Sequence, residues 1–270
     1  MAVLIARPCS QGDISMLAAY GATKNLYWYL PTAIGSLLRH NPDWRVIVYC
    51  EDDEIETLKD PRITIVNITK INFPFDKDNH NMNVHFTYMA LLRCLLPQLL
   101  PNEDKVLWID VDTCVTGSLK DLEKIDMSRK AVAGVMENQQ PVNGAPEDFK
   151  GLYINSGVLL MNLSFIREYD FDKRWIKILQ TRELNYPDQD AINLACRGFV
   201  KFLGVEYNYS PSTKLFDVSE PKIYHYTYTK IWDEPTVIFW RQNYIKNIQD
   251  EPELAADCDC TNIDNPPQST

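Results

Sequence analysis

Long apolar runs are missing from this 270-residue chain. No stretch of about 18 apolar residues occurs, so no membrane-spanning helix is expected. The opening MAVLIARPC is short and lacks a basic start, so no signal peptide is expected either. Basic residues are scarce. There are 27 Lys and Arg against 37 Asp and Glu, a net charge of −10. No basic stripe is visible, which argues against a nucleic-acid partner. The seven cysteines are odd in number and scattered, which suits thiols in a reducing cytoplasm better than a disulfide framework. Cys258 and Cys260 form a lone C-x-C with no Cys or His nearby, too little for a metal site. No internal repeat is present. Asn67, Asn162 and Asn208 each head an N-x-S/T sequon, read as chance occurrence.

What is there suits one large domain. The hydrophobic content is 45%. Strands are expected over residues 16–20, 45–50, 62–68, 106–109, 131–136 and 153–163, with a late strand over 222–227. A helix is expected from Pro31 to Arg39, because proline suits a first helical turn. A second helix, over 85–99, carries Arg93. Residues 69–84 read as a loop. Ser164 is expected to cap a helix running to about Arg182. Asp188 heads a short helix that stops at Gly198. Strands alternate with helices as far as about residue 136, which implies βαβ units and a mostly parallel, Rossmann-like α/β sheet. Residues 1–248 form that domain. Residues 249–270 hold six acids and no Lys or Arg, and are expected to be a disordered tail.

The stretch VLWIDVDTCV, residues 106–115, carries the chemistry. An apolar strand ends in Asp110 and Asp112, and side chains alternate along a strand, so both carboxylates leave on one side. Ligands of such sheets bind beyond the carboxyl ends of the strands. Two carboxylates held together there call for a positive partner. A hard cation such as Mg²⁺, Mn²⁺ or Ca²⁺ takes oxygen ligands of this type. A turn role is the plainer alternative for an Asp after a strand.

The wider pattern YMALLRCLLPQLLPNEDKVLWIDVDTCVTGSL (88–119) resembles the family-8 glycosyltransferases, the group of glycogenin and the bacterial lipopolysaccharide galactosyltransferases. That family carries an arginine on a helix, then an LLP…DKVLYLD-x-D strand. Three more blocks agree in order: YINSGVLLMNL (153–163), NYPDQDAINLACRG (185–198) and IYHYTYTKIW (223–232). Upstream, AAYGATKNLYWYLPTAIGSLLRHNPDW (18–44) is similar to the family's nucleotide-binding start. Thr23 or Lys24 stands where that loop usually has an acid. Residues 1–15 then form an extension ahead of the first family strand.

The resemblance implies a GT-A type fold with a D-x-D motif at a strand end. It implies a UDP-sugar donor and transfer of a hexose, glucose or galactose, with retention at the anomeric carbon. Asp110, Asp112 and His225 would hold Mn²⁺ or Mg²⁺, the histidine favouring Mn²⁺. Ala22, Thr23, Asn25, Tyr27 and Val111 would line the nucleotide, Asn25 and Tyr27 matching the family's Asn-Tyr pair. Arg93 would bind the donor sugar or diphosphate. Lys230 would add a cation there, although it follows His225 at a shortened spacing. Asp188 and Gln189 would face the sugar as the catalytic pair, Asp188 binding hydroxyls or attacking the anomeric carbon, Gln189 steadying positive charge. Asn155 would contact the sugar through its amide, Glu137 would touch its hydroxyls, and Gly157 would leave backbone room for a ligand.

Three alternatives remain at this level. A nucleotidyltransferase would share the sheet and the metal, but it usually needs a basic, Gly-rich loop, and GATKNLY holds one Gly and one Lys. A catalytically inactive sugar-binding relative is disfavoured by the intact Asp110, Asp112, Asp188 and His225. Self-glycosylation on one of 14 tyrosines is open. The acceptor, whether glycan, polyol or protein, is not legible. The acidic tail weighs against docking on an anionic membrane.

Overall fold

The strand that ends in Asp110 lies near the middle of a seven-stranded sheet. The structure is a computed structural model describing residues 16–75, 80–81, 88–138, 140–211 and 218–227. Three expectations lie outside the described residues: the 1–15 extension, Lys230, and the 249–270 tail with its two cysteines. The elements run β1 (Leu17–Gly21), α1 (Leu30–His40), β2 (Arg45–Cys50), β3 (Ile63–Asn67), α2 (Leu96–Leu99), β4 (Lys105–Ile109), β5 (Thr113–Val115), α3 (Lys120–Glu123), β6 (Val132–Met136), β7 (Ile154–Asn162), α4 (Leu163–Glu168), α5 (Phe171–Thr181), α6 (Pro187–Ala195), β8 (Val200–Leu203) and β9 (Ile223–His225).

The large sheet has the order β3-β2-β1-β4-β7-β6-β8, and β5 pairs with β9 in a separate ribbon. Pairings are parallel from β3 through β2 and β1 to β4, and again between β6 and β8. Only β7 runs against the rest, antiparallel to both β4 and β6. The mostly parallel sheet expected from the alternation is therefore present.

The period-two pattern of the strands builds two cores. Ala18, Tyr20, Val46, Val48, Leu107 and Ile109 face α1, with its buried Leu30, Ile34, Leu37 and Leu38. Leu17, Ala19, Ile47, Val106, Trp108, Leu159 and Met161 face the other side, against Phe171, Trp175 and Leu179 of α5 and Ile192 of α6. The inner strands β1, β2 and β4 thus bury both faces, as strands of parallel sheets do.

Three helix expectations are corrected. The 85–99 helix is, in its described part, a 3-10 segment over Ala90–Leu95 followed by α2. Pro97 has no N–H to continue the first segment and sits in the opening turn of the next. The helix from Ser164 to Arg182 is two helices, broken at Asp170, whose φ of 56° lies in the left-handed region. Its cap is Asn162, which accepts from Phe165 N and also receives the Ser164 hydroxyl. Finally, Asp188 does not head α6. The helix opens at Pro187, and Asp188 lies inside the first turn, its carboxylate engaged elsewhere.

Candidate active site

His225 meets the D-x-D segment because β9 pairs with β5. In that ribbon Thr113 stands opposite His225. Asp112 O accepts from Tyr226 N at 3.0 Å, which locks the two segments together. Asp110 is tied to β7 by its own N–H, which donates to Gly157 O at 2.8 Å. The result places His225 Nε2 3.3 Å from Asp112 Oδ1 and 3.9 Å from Asp110 Oδ2.

These three atoms fit a divalent cation. One donor atom from each residue lies within 4.8 Å of the others, and two carboxylate oxygens and an imidazole nitrogen are a suitable donor set. The companion atoms are engaged elsewhere. Asp110 Oδ1 accepts from Arg93 Nη2 and from Trp108 Nε1, each at 2.8 Å. His225 Nδ1 lies 2.8 Å from Asn208 Oδ1. The electrostatics agree. Burial pushes the Asp110 carboxyl above its ordinary value, aided by Asp112 and opposed by Arg93. Burial is the largest influence and would raise Asp112 too, but His225, a backbone hydrogen bond and Arg93 together outweigh it and the net shift is down. Burial would lower His225, and the carboxylates outweigh it, so its affinity for a proton rises.

Strand β7 divides the site by its alternation. On one side Ser156 meets Arg93, Asp188 and Gln189. Arg93 Nη1 donates to Ser156 O at 2.6 Å, and Arg93 Nε lies 3.2 Å from Asp188 Oδ2. Ser156 Oγ donates to Asp188 Oδ2 at 2.7 Å, and Ser156 N donates to Gln189 Oε1 at 2.8 Å. Arg93 is buried, and its guanidinium stacks 4.9 Å from the Trp108 ring centre. On the other side Asn155 and Gly157 face His225. Asn155 Nδ2 donates to Glu137 Oε1 at 2.8 Å, and Gln189 Nε2 reaches the same oxygen at 3.3 Å. Gly157 makes room for the histidine itself: a Cβ there would overlap Cε1 of His225 and stand 2.8 Å from its Nε2.

The structure thus brings together Arg93, Asp110, Asp112, Glu137, Asn155, Gly157, Asp188, Gln189 and His225. Val111 packs into the α1-side core between the two aspartates. Ala22, Thr23, Asn25 and Tyr27 follow β1 and interact with one another or with the segment at the end of β2. Ala22 N donates to Tyr49 O at 3.0 Å, Thr23 Oγ1 to Asn25 Oδ1 at 2.6 Å, and Tyr27 OH to Asp52 Oδ2 at 3.1 Å. Lys24, next to Thr23 in that loop, pairs with Asp52 at 2.8 Å. Sequence reasoning missed Ser156, Trp108 and Asn208. Ser156 was reachable, because it is the opposite-face neighbour of two chosen residues on one strand.

Asp190 also stood unassigned. It is fully buried and accepts from Tyr186 N at 2.9 Å and from the Tyr153 hydroxyl. It thereby ties the first turn of α6, with Asp188 and Gln189, to the start of β7. Burial, the largest influence, raises its carboxyl to about 6. A folded-state value above the unfolded one near 3.9 stabilises the fold below pH about 4, and that stabilisation is lost as pH rises through about 6. Asp190→Asn removes the charge, keeps an oxygen for Tyr186 N, and offers the Tyr153 hydroxyl an NH₂ to accept from. It is expected to remove up to about 3 kcal/mol of the decline in stability between pH 4 and 7. Urea denaturation across that range checks this, and an unchanged slope would refute it.

Residues 18–236 match the profile of the family described as Glycosyl transferase family 8. A putative glycosyltransferase of Haemophilus influenzae is 28% identical over 203 residues, 69% of this chain and 61% of its own length. A lipopolysaccharide 1,2-glucosyltransferase of Escherichia coli is 28% identical over 145 residues, 50% of this chain and 41% of its own. The chain thus spans between 41% and 61% of these curated relatives' length. Among solved structures, the galactosyltransferase LgtC in complex with donor and acceptor sugar analogues superposes with a TM-score of 0.65 at 21% identity, covering 87% of this chain and 96% of that one. Glycosyltransferase GlyE of Streptococcus pneumoniae TIGR4 gives 0.65 at 20%, covering 88% and 63%. At such identities the likeness is one of fold, the GT-A arrangement. The profile covers most of the chain, including Arg93, the D-x-D strand, Asp188 and His225: the chain belongs to glycosyltransferase family 8.

Proposed function

We propose that this chain is a metal-dependent, retaining hexosyltransferase that moves glucose or galactose from a UDP-sugar to a hydroxyl of a glycan, polyol or protein. The observation that carries this reading is the convergence of one donor atom each from Asp110, Asp112 and His225 within 4.8 Å, with Asp188 and Gln189 held across Ser156 from them. Relatives named as lipopolysaccharide glucosyl- and galactosyltransferases support a hexose.

Asp110, Asp112 and His225 would hold Mn²⁺ or Mg²⁺, which when bound supplies a Lewis acid for charge on the diphosphate. The chain's own residues do the rest. Arg93 holds Asp110 and Asp188 in place. Asp188 and Glu137 accept from sugar hydroxyls. Asn155 is positioned by Glu137 to border the sugar, and Lys230 adds positive charge near the diphosphate. Ala22, Thr23, Asn25, Tyr27 and Val111 border the nucleotide. The catalytic domain spans residues 1–248, with an acidic tail after it.

Among the described residues no helix is long and apolar enough to cross a membrane. Cys50, Cys94, Cys114 and Cys196 are buried free thiols. A reducing cytoplasm suits these thiols and is part of the proposal.

The test is a donor screen. Purified protein with Mn²⁺ is offered UDP-glucose, UDP-galactose and related donors, and UDP release is read with and without EDTA. The expected result is release from at least one hexose donor, lost in EDTA and restored by Mn²⁺. Full release in EDTA sinks the metal assignment. Pyrophosphate release from a nucleoside triphosphate and a sugar phosphate would instead favour the nucleotidyltransferase. An intact-mass increase after incubation with donor alone would make the chain its own acceptor.

A further inference from the structure

We propose that Asn208 is a positioning residue: it holds the hydrogen on His225 Nδ1 and so leaves Nε2 as the ring nitrogen offered to the two aspartates and to a cation between them. This rests on the metal reading above only for its consequence, since the hydrogen-bond logic stands without a metal.

The logic starts from one backbone group. Gly157 N–H can only donate, and it lies 2.9 Å from the side chain of Asn155. The atom facing it is therefore the Asn155 oxygen, which leaves the Asn155 amide nitrogen to meet the carboxylate of Glu137 at 2.8 Å. The same Asn155 oxygen lies 2.9 Å from Asn208. Two oxygens cannot bond there, so Asn208 presents its NH₂. Its oxygen then faces His225 Nδ1 at 2.8 Å. An amide oxygen only accepts, so Nδ1 must carry the hydrogen. The orientation of two amides and one imidazole thus follows from a single N–H.

Backbone contacts hold the pair in register. The residue after Asn208 is bound on both sides of its peptide to β9: Tyr209 N donates to Ile223 O at 2.9 Å, and His225 N donates to Tyr209 O at 2.8 Å. Asn208 and His225 are both buried, so water does not compete for the contact. Orienters of this kind fix the ring and its tautomer in metal-binding histidines generally, and their loss weakens metal binding by about tenfold to a hundredfold. In the sequence Asn208 drew notice only as a sequon, a role its burial does not suit.

The test has two readouts besides activity. Free Mn²⁺ is measured by electron paramagnetic resonance in titrations of wild type, Asn208→Leu and Asn208→Asp, with melting curves to confirm folding. Asn208→Leu is expected to bind Mn²⁺ about tenfold to a hundredfold more weakly. Asn208→Asp keeps an acceptor for Nδ1–H but loses the NH₂ that Asn155 Oδ1 accepts from, so it is expected to bind Mn²⁺ more weakly than wild type and clearly more tightly than Asn208→Leu. A role in packing alone would weaken both alike. The second readout is nuclear magnetic resonance of metal-free protein with ¹⁵N-labelled histidine. Wild type is expected to show a solvent-protected ring N–H assigned to Nδ1, with or without a second hydrogen drawn onto Nε2 by the aspartates, and Asn208→Leu is expected to lack the protected Nδ1–H. A protected hydrogen on Nε2 alone, or equal Mn²⁺ affinity in wild type and Asn208→Leu, overturns the proposal. Wild type that shows the Nδ1–H but binds no Mn²⁺ leaves the orientation standing and defeats the metal reading instead.

Discussion

Replacing Arg93 by leucine is expected to destabilise the fold by about 3–5 kcal/mol, because it strands buried carboxylates. Arg93 is 5% exposed. It donates to Asp110 Oδ1 at 2.8 Å and to Ser156 O at 2.6 Å, and it pairs with Asp188 Oδ2 at 3.2 Å. Leucine supplies similar packing against Trp108 but none of these contacts. The loss should depend on pH with a definite sign. Without the guanidinium, which opposes the effect, burial drives Asp110 further above the unfolded carboxylate value near 3.9. Groups raised in the folded state stabilise it at low pH, and that stabilisation is lost as pH rises. The variant should therefore recover part of its deficit between pH 7 and pH 5. Urea denaturation at both values measures this. A deficit under about 1 kcal/mol at pH 7 would mean that water or rearrangement satisfies the carboxylates and that Arg93 is not the pin of the site.

Much of this architecture was legible in short patterns. VLWI alternates between two cores, and the structure puts Leu107 and Ile109 on one side, Val106 and Trp108 on the other. The D-x-D spacing placed both carboxylates together, and His225 joined them only because a family block supplied it. A local reading has no means to pair β9 with β5 across more than a hundred residues. The antiparallel insertion of β7 between β4 and β6 was equally hidden, since strand order is set by which buried faces match and not by any one strand's pattern. Cap residues misled for a different reason. Asn162 and Ser164 are both good caps two positions apart, and the structure uses the first with the second bound to it. Asp188 and Asp190 share the first turn of α6. The backbone bond went to Asp190, because Asp188 had a buried arginine to meet.

Asp188 and Gln189 carry the second large expected effect, and it separates two routes to retention. In double displacement a carboxylate oxygen bonds to the anomeric carbon as the UDP oxygen departs, and the acceptor oxygen then displaces the carboxylate. In same-face attack the acceptor oxygen bonds to the carbon on the side that UDP leaves, and the acceptor's proton passes to the departing diphosphate. No enzyme nucleophile is needed, only a polar group beneath the sugar. The hydrogen bonds favour the second route. Asp188 Oδ2 accepts from Ser156 Oγ at 2.7 Å and pairs with Arg93 Nε at 3.2 Å, contacts that draw density from a would-be nucleophile. Gln189 Oε1 accepts from Ser156 N at 2.8 Å, which fixes the amide and leaves its second lone pair for a developing positive charge. Gln189→Ala is then expected to lower kcat by about tenfold to a hundredfold, roughly 1.4–2.7 kcal/mol. Asp188→Asn should cost about a thousandfold, about 4 kcal/mol, because it releases the donor's hydroxyls and leaves Arg93 with a neutral partner. Melting curves show whether either variant is merely unfolded. Mass spectrometry of enzyme quenched during turnover decides between the routes: an unmodified chain fits same-face attack, and a hexose bonded to Asp188 would make that residue the nucleophile.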